Sequence, residues 1–313
     1  MKALAVDIGG THANCGIVED ERILAHESVD LTGTKSILAV LSRLTEVFCR
    51  LIERQSLSFE DFAGIAVGFP GLVDSRLGKV VSTNKKYDDA PKVDFCGWAA
   101  DAFRLPLRIE NDARLALLGE SHAGAARGFS DVVMITLGTG IGGVAMIEGK
   151  LLRGKHAQAG CLGGHIPVLF NGRPCTCGGI GCAEAEASGW ALPEILKDQP
   201  GFADSRLSQR RNVGFKHLFD EAEQGDKVAI AVRDRCLHIW AADAVALIHA
   251  YDPEIVVIGG GVMQGSKIII GYIESYVHKY AWTPWGKVQI RPAKLANNAA
   301  LLGAVPLISE RST

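Results

Sequence analysis

The chain has 313 residues, with 33 basic against 35 acidic side chains and a net charge of -2. That length suits two ordinary domains, and the balanced charge excludes a broad electrostatic footprint for nucleic acid or anionic lipid. No apolar run approaches the roughly 20 residues that cross a bilayer, and Met1 leads into Leu4-Ala5-Val6-Asp7 without the layout of a signal peptide. The expectations are a small-molecule partner, no nucleic acid, no membrane, and the cytoplasm. Of eight cysteines, Cys15, Cys49, Cys96, Cys161 and Cys236 are scattered through apolar or helical stretches and read as reduced, packed thiols. The other three crowd into a short span.

Residues 2 to 8 read as a buried strand, Gly9-Gly10 punctuates it, and Asn14 to Val18 resumes an extended pattern that turns at Glu19-Asp20-Glu21. From Ser36 to Gln55, Ile37, Leu41, Leu44, Phe48, Leu51 and Ile52 fall at helical spacing, and a strand follows from Ala63 to Phe69. The pattern predicts a helix over 95–103, a strand over 107–110 and an alanine-rich helix over 112–126. Then it restarts: Val132 to Leu137 is a strand, Gly138 to Gly143 a glycine-rich bend, and Val144 to Ile147 a strand turning at Glu148-Gly149-Lys150. Two related α/β halves are therefore expected, the second enlarged by an irregular insertion between about Arg153 and Glu184. Further on come a long helix over 228–250, a strand over 255–258 and a last helix over 298–308. The expected division is residues 1–115 with 299–313 in a small domain and 116–298 in a large one.

Three bends are rich in glycine. Asp7-Ile8-Gly9-Gly10-Thr11 offers backbone amides, a hydroxyl and a carboxylate, an inventory for phosphate with magnesium, or else a tight hairpin turn needing positive φ. Leu137-Gly138-Thr139-Gly140-Ile141-Gly142-Gly143 invites a dinucleotide reading, but such a fingerprint opens a helix and Val144-Ala145-Met146-Ile147 looks extended. Gly259-Gly260-Gly261 permits a flat ring to lie against backbone, or is a plain strand-to-helix connection. Taken together, the bends suggest a nucleotide held between two domains.

Ile109-Glu110-Asn111-Asp112-Ala113 sets an amide and a carboxylate at a strand end that feeds a helix. Asp112 there is able to accept a proton from an attacking hydroxyl while Asn111 grips a neighbouring one; an isolated Asn-Asp pair also reads as a helix cap. His165, Cys175, Cys177 and Cys182 supply four soft ligands in a glycine-rich loop, matching a closed tetrahedral zinc site, with buried free thiols or a disulfide as the alternatives.

In this order the motifs resemble the actin-like, or ribonuclease H-like, ATPase fold of sugar kinases and heat-shock proteins. Within it they resemble the ROK family of sugar kinases and sugar-responsive repressors, from Lys2 to about Ala304. The resemblance implies a two-domain α/β fold with a zinc-binding insertion, ATP with Mg2+ as donor, structural Zn2+ and a homodimer. It assigns the nucleotide to Asp7, Gly9, Gly10, Thr11, Gly138, Thr139, Gly140, Gly259, Gly260 and Gly261. It makes Asp112 the base that takes the proton from a sugar hydroxyl, the 6-OH of a hexose or hexose derivative. Gly71, Asn84, Asn111, Asp112, His165 and Glu184 become the sugar ligands, and His165, Cys175, Cys177 and Cys182 the metal ligands.

The chain also departs from that family. Most members carry Glu-x-Gly-His before the cysteines, whereas Leu162-Gly163-Gly164-His165 lacks the acid, and a shift of one residue puts Cys161 in its place. His12 stands where lysine is common, and Lys85-Lys86-Tyr87 after Asn84 is unusual. Both read either as functional changes or as surface drift. A repressor needs a helix-turn-helix segment, and none fits before Asp7. A sugar sensor with weakened catalysis is the alternative to an active kinase.

Overall fold

The computed structural model describes residues 1–83, 86–263 and 267–310. The first strand, β1 (Lys2–Ile8), is an apolar run with Ala3 to Val6 wholly inaccessible, so it lies inside its sheet with both faces covered. It pairs antiparallel with β2 (His12–Glu19), which pairs antiparallel with β3 (Arg22–Asp30). Helix α1 (Ile37–Arg54) buries Ile37, Leu41, Leu44, Phe48 and Leu51 along one face. Its start is capped from a distance: the Asp89 carboxylate accepts from Ile37 N at 3.0 Å and from Ser36 Oγ at 2.7 Å.

Strand β4 (Phe62–Phe69) runs parallel to β1. A ribbon of β5 (Gly71–Asp74) and β6 (Lys79–Thr83) follows, then α2 (Phe95–Phe103), β7 (Leu107–Asn111) parallel to β4, and α3 (Asp112–Ala123). The sheet order is β3-β2-β1-β4-β7.

The second sheet repeats that order. Strands β8 (Val132–Leu137) and β9 (Ile141–Ile147) form an antiparallel hairpin extended by the short β10 (Lys150–Leu151). After the irregular insertion come α4 (Ala183–Ala187), α5 (Leu192–Lys197), α6 (Phe215–Glu223) and the long α7 (Lys227–Tyr251). The Asp226 carboxylate caps α7 by accepting from Ala229 N, and Asp252 ends it in the left-handed region at φ 47°. Strand β11 (Ile255–Gly259) lies parallel to β8, α8 (Lys267–Tyr280) follows, and β12 (Gln289–Pro292) lies parallel to β11. The order is β10-β9-β8-β11-β12, the same hairpin-plus-parallel-pair arrangement as in the first sheet.

Two short helices, α9 (Ala299–Leu302) and α10 (Ala304–Ser309), stand where the sequence pattern predicts one. Pro306 has no amide hydrogen for Leu302, which interrupts the helical bonding there, and Gly303 between the two helices packs close to α3, a Cβ on it lying 2.1 Å from the Leu115 carbonyl oxygen.

By packing, the chain forms two compact units. The first is Met1–Gly128 with Leu151–Cys161 and the chain from Lys294; the second is Phe129–Lys150 with Leu162–Ala293. The sequence pattern puts these divisions at 115/116 and 298/299. Strands β3 and β12 and the β5–β6 ribbon carry no clear apolar alternation, since β3 buries only Val29 and β12 only Ile290.

Candidate active site and metal centre

In the first unit β1, β4 and β7 are parallel, with Asp7 opposite Gly68 and Gly68 opposite Glu110. The carboxyl ends of these strands therefore share one edge of the sheet, the edge at which α/β sheets bind ligands. Gly68 separates the two aspartates there: a Cβ on it would lie 3.2 Å from Asp7 Oδ1 and 3.6 Å from the Asp112 Cα. Burial, with the Asp112 charge adding to it, pushes Asp7 up to about 7. Burial likewise pushes Asp112 up to about 6, against the pull of hydrogen bonds from Ala113 N and the Asn111 side chain.

Both of those hydrogen bonds fall on Asp112 Oδ1, at 2.8 Å from Ala113 N and 2.9 Å from Asn111 Nδ2. Asn111 also caps α3, its Oδ1 accepting from Arg114 N at 3.2 Å, while Nδ2 donates to the Gly71 carbonyl at 3.1 Å. The helix cap and the grip on Asp112 are thus one side chain. Asn84 lies outside the described residues.

The first glycine bend closes by a hydrogen bond from Gly9 N to the His12 carbonyl at 2.8 Å. Neither Gly9 nor Gly10 has a positive φ, so the dihedral demand expected of a tight turn does not arise. Two residues of the unusual Lys85-Lys86-Tyr87 run meet this bend. Tyr87 Oη donates to the Gly9 carbonyl at 3.1 Å, and Lys86 Nζ lies 3.8 Å from where a Cβ on Gly10 would stand.

Motif reading passes over a buried ionic network beside Asn111. Glu110 Oε1 accepts from Asn111 N at 2.8 Å and faces Arg114 Nη1 at 3.4 Å, and Glu110 Oε2 accepts from Arg153 Nε at 2.6 Å. Arg114 donates further to the carbonyls of Leu152, Ala157 and Ala159. A buried arginine inside an alanine-rich helix was the available signal, because such a charge needs partners.

In the second unit β8 and β11 run parallel with Thr136 opposite Gly259, so the second and third glycine bends leave the same sheet edge. Gly138 N donates to the Gly140 carbonyl at 3.0 Å within the hairpin loop, and β9 beyond it is a strand, unlike the helix of a dinucleotide fingerprint. Gly260 is required by its backbone: φ is +95°, and a Cβ would lie 2.2 Å from the Leu137 carbonyl oxygen.

Glu184 is buried against the second bend. Its Oε2 accepts from Ile141 N at 2.9 Å, its Oε1 from Trp190 Nε1 at 3.2 Å, and a Cβ on Gly140 would fall 2.5 Å from Oε2. Backbone bonds reinforce this, Gly189 N to the Gly138 carbonyl and Trp190 N to the Thr139 carbonyl, each at 2.9 Å.

The insertion brings His165, Cys175, Cys177 and Cys182 together with all ligand atoms within 4.8 Å of one another. Cys175 Sγ is 3.5 Å from His165 Nδ1 and Cys177 Sγ 3.7 Å from Cys182 Sγ. Tetrahedral zinc with Zn–S near 2.3 Å and Zn–N near 2.0 Å needs edges of about 3.5–3.8 Å, so the donor set and its spacing fit that ion. Cys161 is not among these ligands; its Sγ faces the carbonyls of Ala157 and Gln158.

The sequence profile of the ROK family matches residues 3–311. The chain is 33% identical to the glucokinase of Thermotoga maritima, over 99% of this chain and 98% of that one. A ROK hexokinase from Thermus thermophilus shares 30% identity at a TM-score of 0.79, covering 98% of this chain and 97% of its own. A ROK family glucokinase from Streptomyces griseus, solved with glucose and AMPPNP, shares 29% at a TM-score of 0.79, covering 98% and 99%.

Proposed function

The chain belongs to the ROK family and has its actin-like ATPase fold, and we propose that it transfers the γ-phosphate of ATP to the 6-hydroxyl of a hexose or hexose derivative, with Asp112 as general base. The observation that carries this reading is Asp112 itself. It stands at the carboxyl edge of the first sheet with Oδ1 held by Ala113 N and Asn111 Nδ2, which leaves Oδ2 to face an acceptor hydroxyl. A carboxyl raised to about 6 is ionised at neutral pH yet basic enough to take a proton.

In the step, the acceptor oxygen forms a bond to the γ-phosphorus, the bond from that phosphorus to the β,γ-bridging oxygen breaks, and the hydroxyl proton passes to Asp112. Because the transition state of phosphoryl transfer is loose, positioning by Asn111 and Gly71 contributes as much as basicity. Asp7, Gly9, Gly10 and Thr11, with Gly138, Thr139, Gly140 and Gly259 to Gly261, are assigned to ATP. Asp7 is the residue to hold Mg2+, since its carboxylate has no hydrogen-bond donor among the described residues and burial has raised its affinity for positive charge. When bound, Mg2+ neutralises phosphate charge. Zn2+ at four protein ligands has no open position and serves to cross-link the insertion.

Gly71, Asn84, Asn111, His165 and Glu184 are assigned to the sugar. The carboxylate missing before His165, where Leu162 stands, or Cys161 in a register shifted by one, removes a charge-assisted hydrogen bond worth about 1.5–3 kcal/mol, enough to alter which hexose is preferred. The same reading has the enzyme act as a homodimer in the cytoplasm.

Coupled detection of ADP over a panel of hexoses, N-acetylhexosamines and polyols tests the proposal, with the product's position assigned by phosphorus NMR. Sugar-dependent ADP formation supports it. Sugar binding without ADP formation marks a sensor instead and refutes it.

A further inference from the structure

The first glycine bend has a feature that the chain's own packing does not explain. Gly9 and Gly10 lack positive φ, and among the described residues a Cβ on Gly10 would meet no atom within 4 Å except Lys86 Nζ at 3.8 Å. Neither dihedral strain nor crowding by backbone requires glycine at 10. Its missing side chain keeps the exposed bend open on the side bounded by an ammonium group.

That ammonium is held in place by its neighbour. Tyr87 is buried at 1% exposure, its ring packs 6.1 Å from that of Phe69, and its hydroxyl donates to the Gly9 carbonyl. The backbone at 87 is therefore fastened to the bend, which restricts the reach of residue 86. Lys86 Nζ also lies 4.9 Å from the centroid of the Tyr87 ring. Lys86 makes no salt bridge among the described residues, although the side chain is half-buried and burial lowers its pKa. A half-buried cation with no carboxylate partner among the described residues, beside the exposed backbone of Gly10 and Thr11 and the Thr11 hydroxyl, which lies 3.0 Å from His12 Nδ1, is complementary to a phosphate group.

We propose that Lys86 is a catalytic residue that contacts the terminal phosphate of the nucleotide at the Gly9-Gly10-Thr11 bend. This rests on the kinase reading above. The ammonium meets a phosphoryl oxygen as a point charge and stabilises the negative charge that shifts during transfer. No covalent bond to the lysine is involved.

The test compares wild type, Lys86→Met and Lys86→Arg by titration calorimetry with AMPPNP, inorganic tripolyphosphate and adenosine, followed by steady-state kinetics. Lys86→Met is expected to weaken AMPPNP and tripolyphosphate about tenfold or more and to lower kcat by a similar factor. Adenosine and sugar binding should stay within about twofold, and Lys86→Arg should recover most of the loss because it keeps the charge. Lys86→Met that binds AMPPNP and turns over like wild type overturns the proposal, as does equal weakening of adenosine. If tripolyphosphate binding depends on Lys86 but no sugar is phosphorylated, the lysine site stands and the kinase reading fails.

Discussion

Arg114 Nη1 stands 3.4 Å from Glu110 Oε1, and neither side chain has any exposed surface. Arg114 holds the carbonyls of Leu152, Ala157 and Ala159, while Arg153 from the same segment closes on Glu110 and on Glu310 at 2.8 Å. The grip also restrains Ala157, whose φ of 58° is costly for a residue with a Cβ. The segment 152–159 is thereby bolted to the strand end that carries Asn111 and Asp112.

Breaking that pair should be expensive. Arg114→Met leaves part of the Glu110 charge and three carbonyls without their partner, and is expected to cost about 3–5 kcal/mol in urea unfolding. Limited proteolysis should become faster within 152–161. A loss below about 1 kcal/mol would mean that water replaces the guanidinium there.

Asp112→Asn should remove turnover while keeping the fold. The asparagine still accepts from Ala113 N at Oδ1 and still occupies the half-buried site, so melting should change little. Loss of a positioned base is expected to lower kcat about 10²–10⁴-fold, with sugar affinity measured by calorimetry nearly retained.

The pH profile follows from the same group. Asp112 acts as a base only when ionised, and with its carboxyl raised to about 6, kcat/KM should fall about tenfold per pH unit below 6 and level off above it. For stability the sign is opposite. A carboxyl raised on folding favours the folded state below its ordinary range near 4, and that contribution is lost as pH rises through about 6. Asp112→Asn should abolish this part of the pH dependence of urea unfolding.

Metal content provides a separate check. Elemental analysis should find about one zinc per chain, and a chelator should release it with exposure of Cys175, Cys177 and Cys182 to thiol reagents. Cys177→Ser should lower zinc retention and increase proteolysis between 165 and 182. Full thiol protection in metal-free protein would contradict the zinc assignment.

Gly260→Ala tests the third bend. At φ +95°, with the Leu137 carbonyl oxygen 2.2 Å from the new Cβ, the substitution should destabilise by about 1–3 kcal/mol. It should also raise KM for ATP more than KM for the sugar, as read by varying each substrate against a saturating concentration of the other.

Much of the fold is legible because it depends on local spacing. The apolar run of β1, the helical stripe of α1, the α7 helix and the repeat of strand-bend-strand at Gly9 and Gly138 all declare themselves within a few residues. The metal ligands are equally local, three cysteines within eight positions and a histidine ten residues before the first. Less visible are β3, β12 and the β5–β6 ribbon, whose sparse burial erases the alternation that marks a strand.

The sequence by itself determined the family, the repeated α/β halves, the glycine bends, the Asn111-Asp112 pair and the His-Cys ligand set, because each is a pattern of neighbours along the chain. Only the tertiary structure decided that Lys86 faces Gly10, that Tyr87 fastens to Gly9, that Arg114 holds the 152–159 segment and that the Glu184 carboxylate accepts from Ile141 N and Trp190 Nε1. Apart from the short step between Glu184 and Trp190, those pairings join residues 38 to 78 positions apart. Hydrogen-bond geometry and burial choose such partners from many side chains of the same type, and spacing along the chain carries no record of the choice.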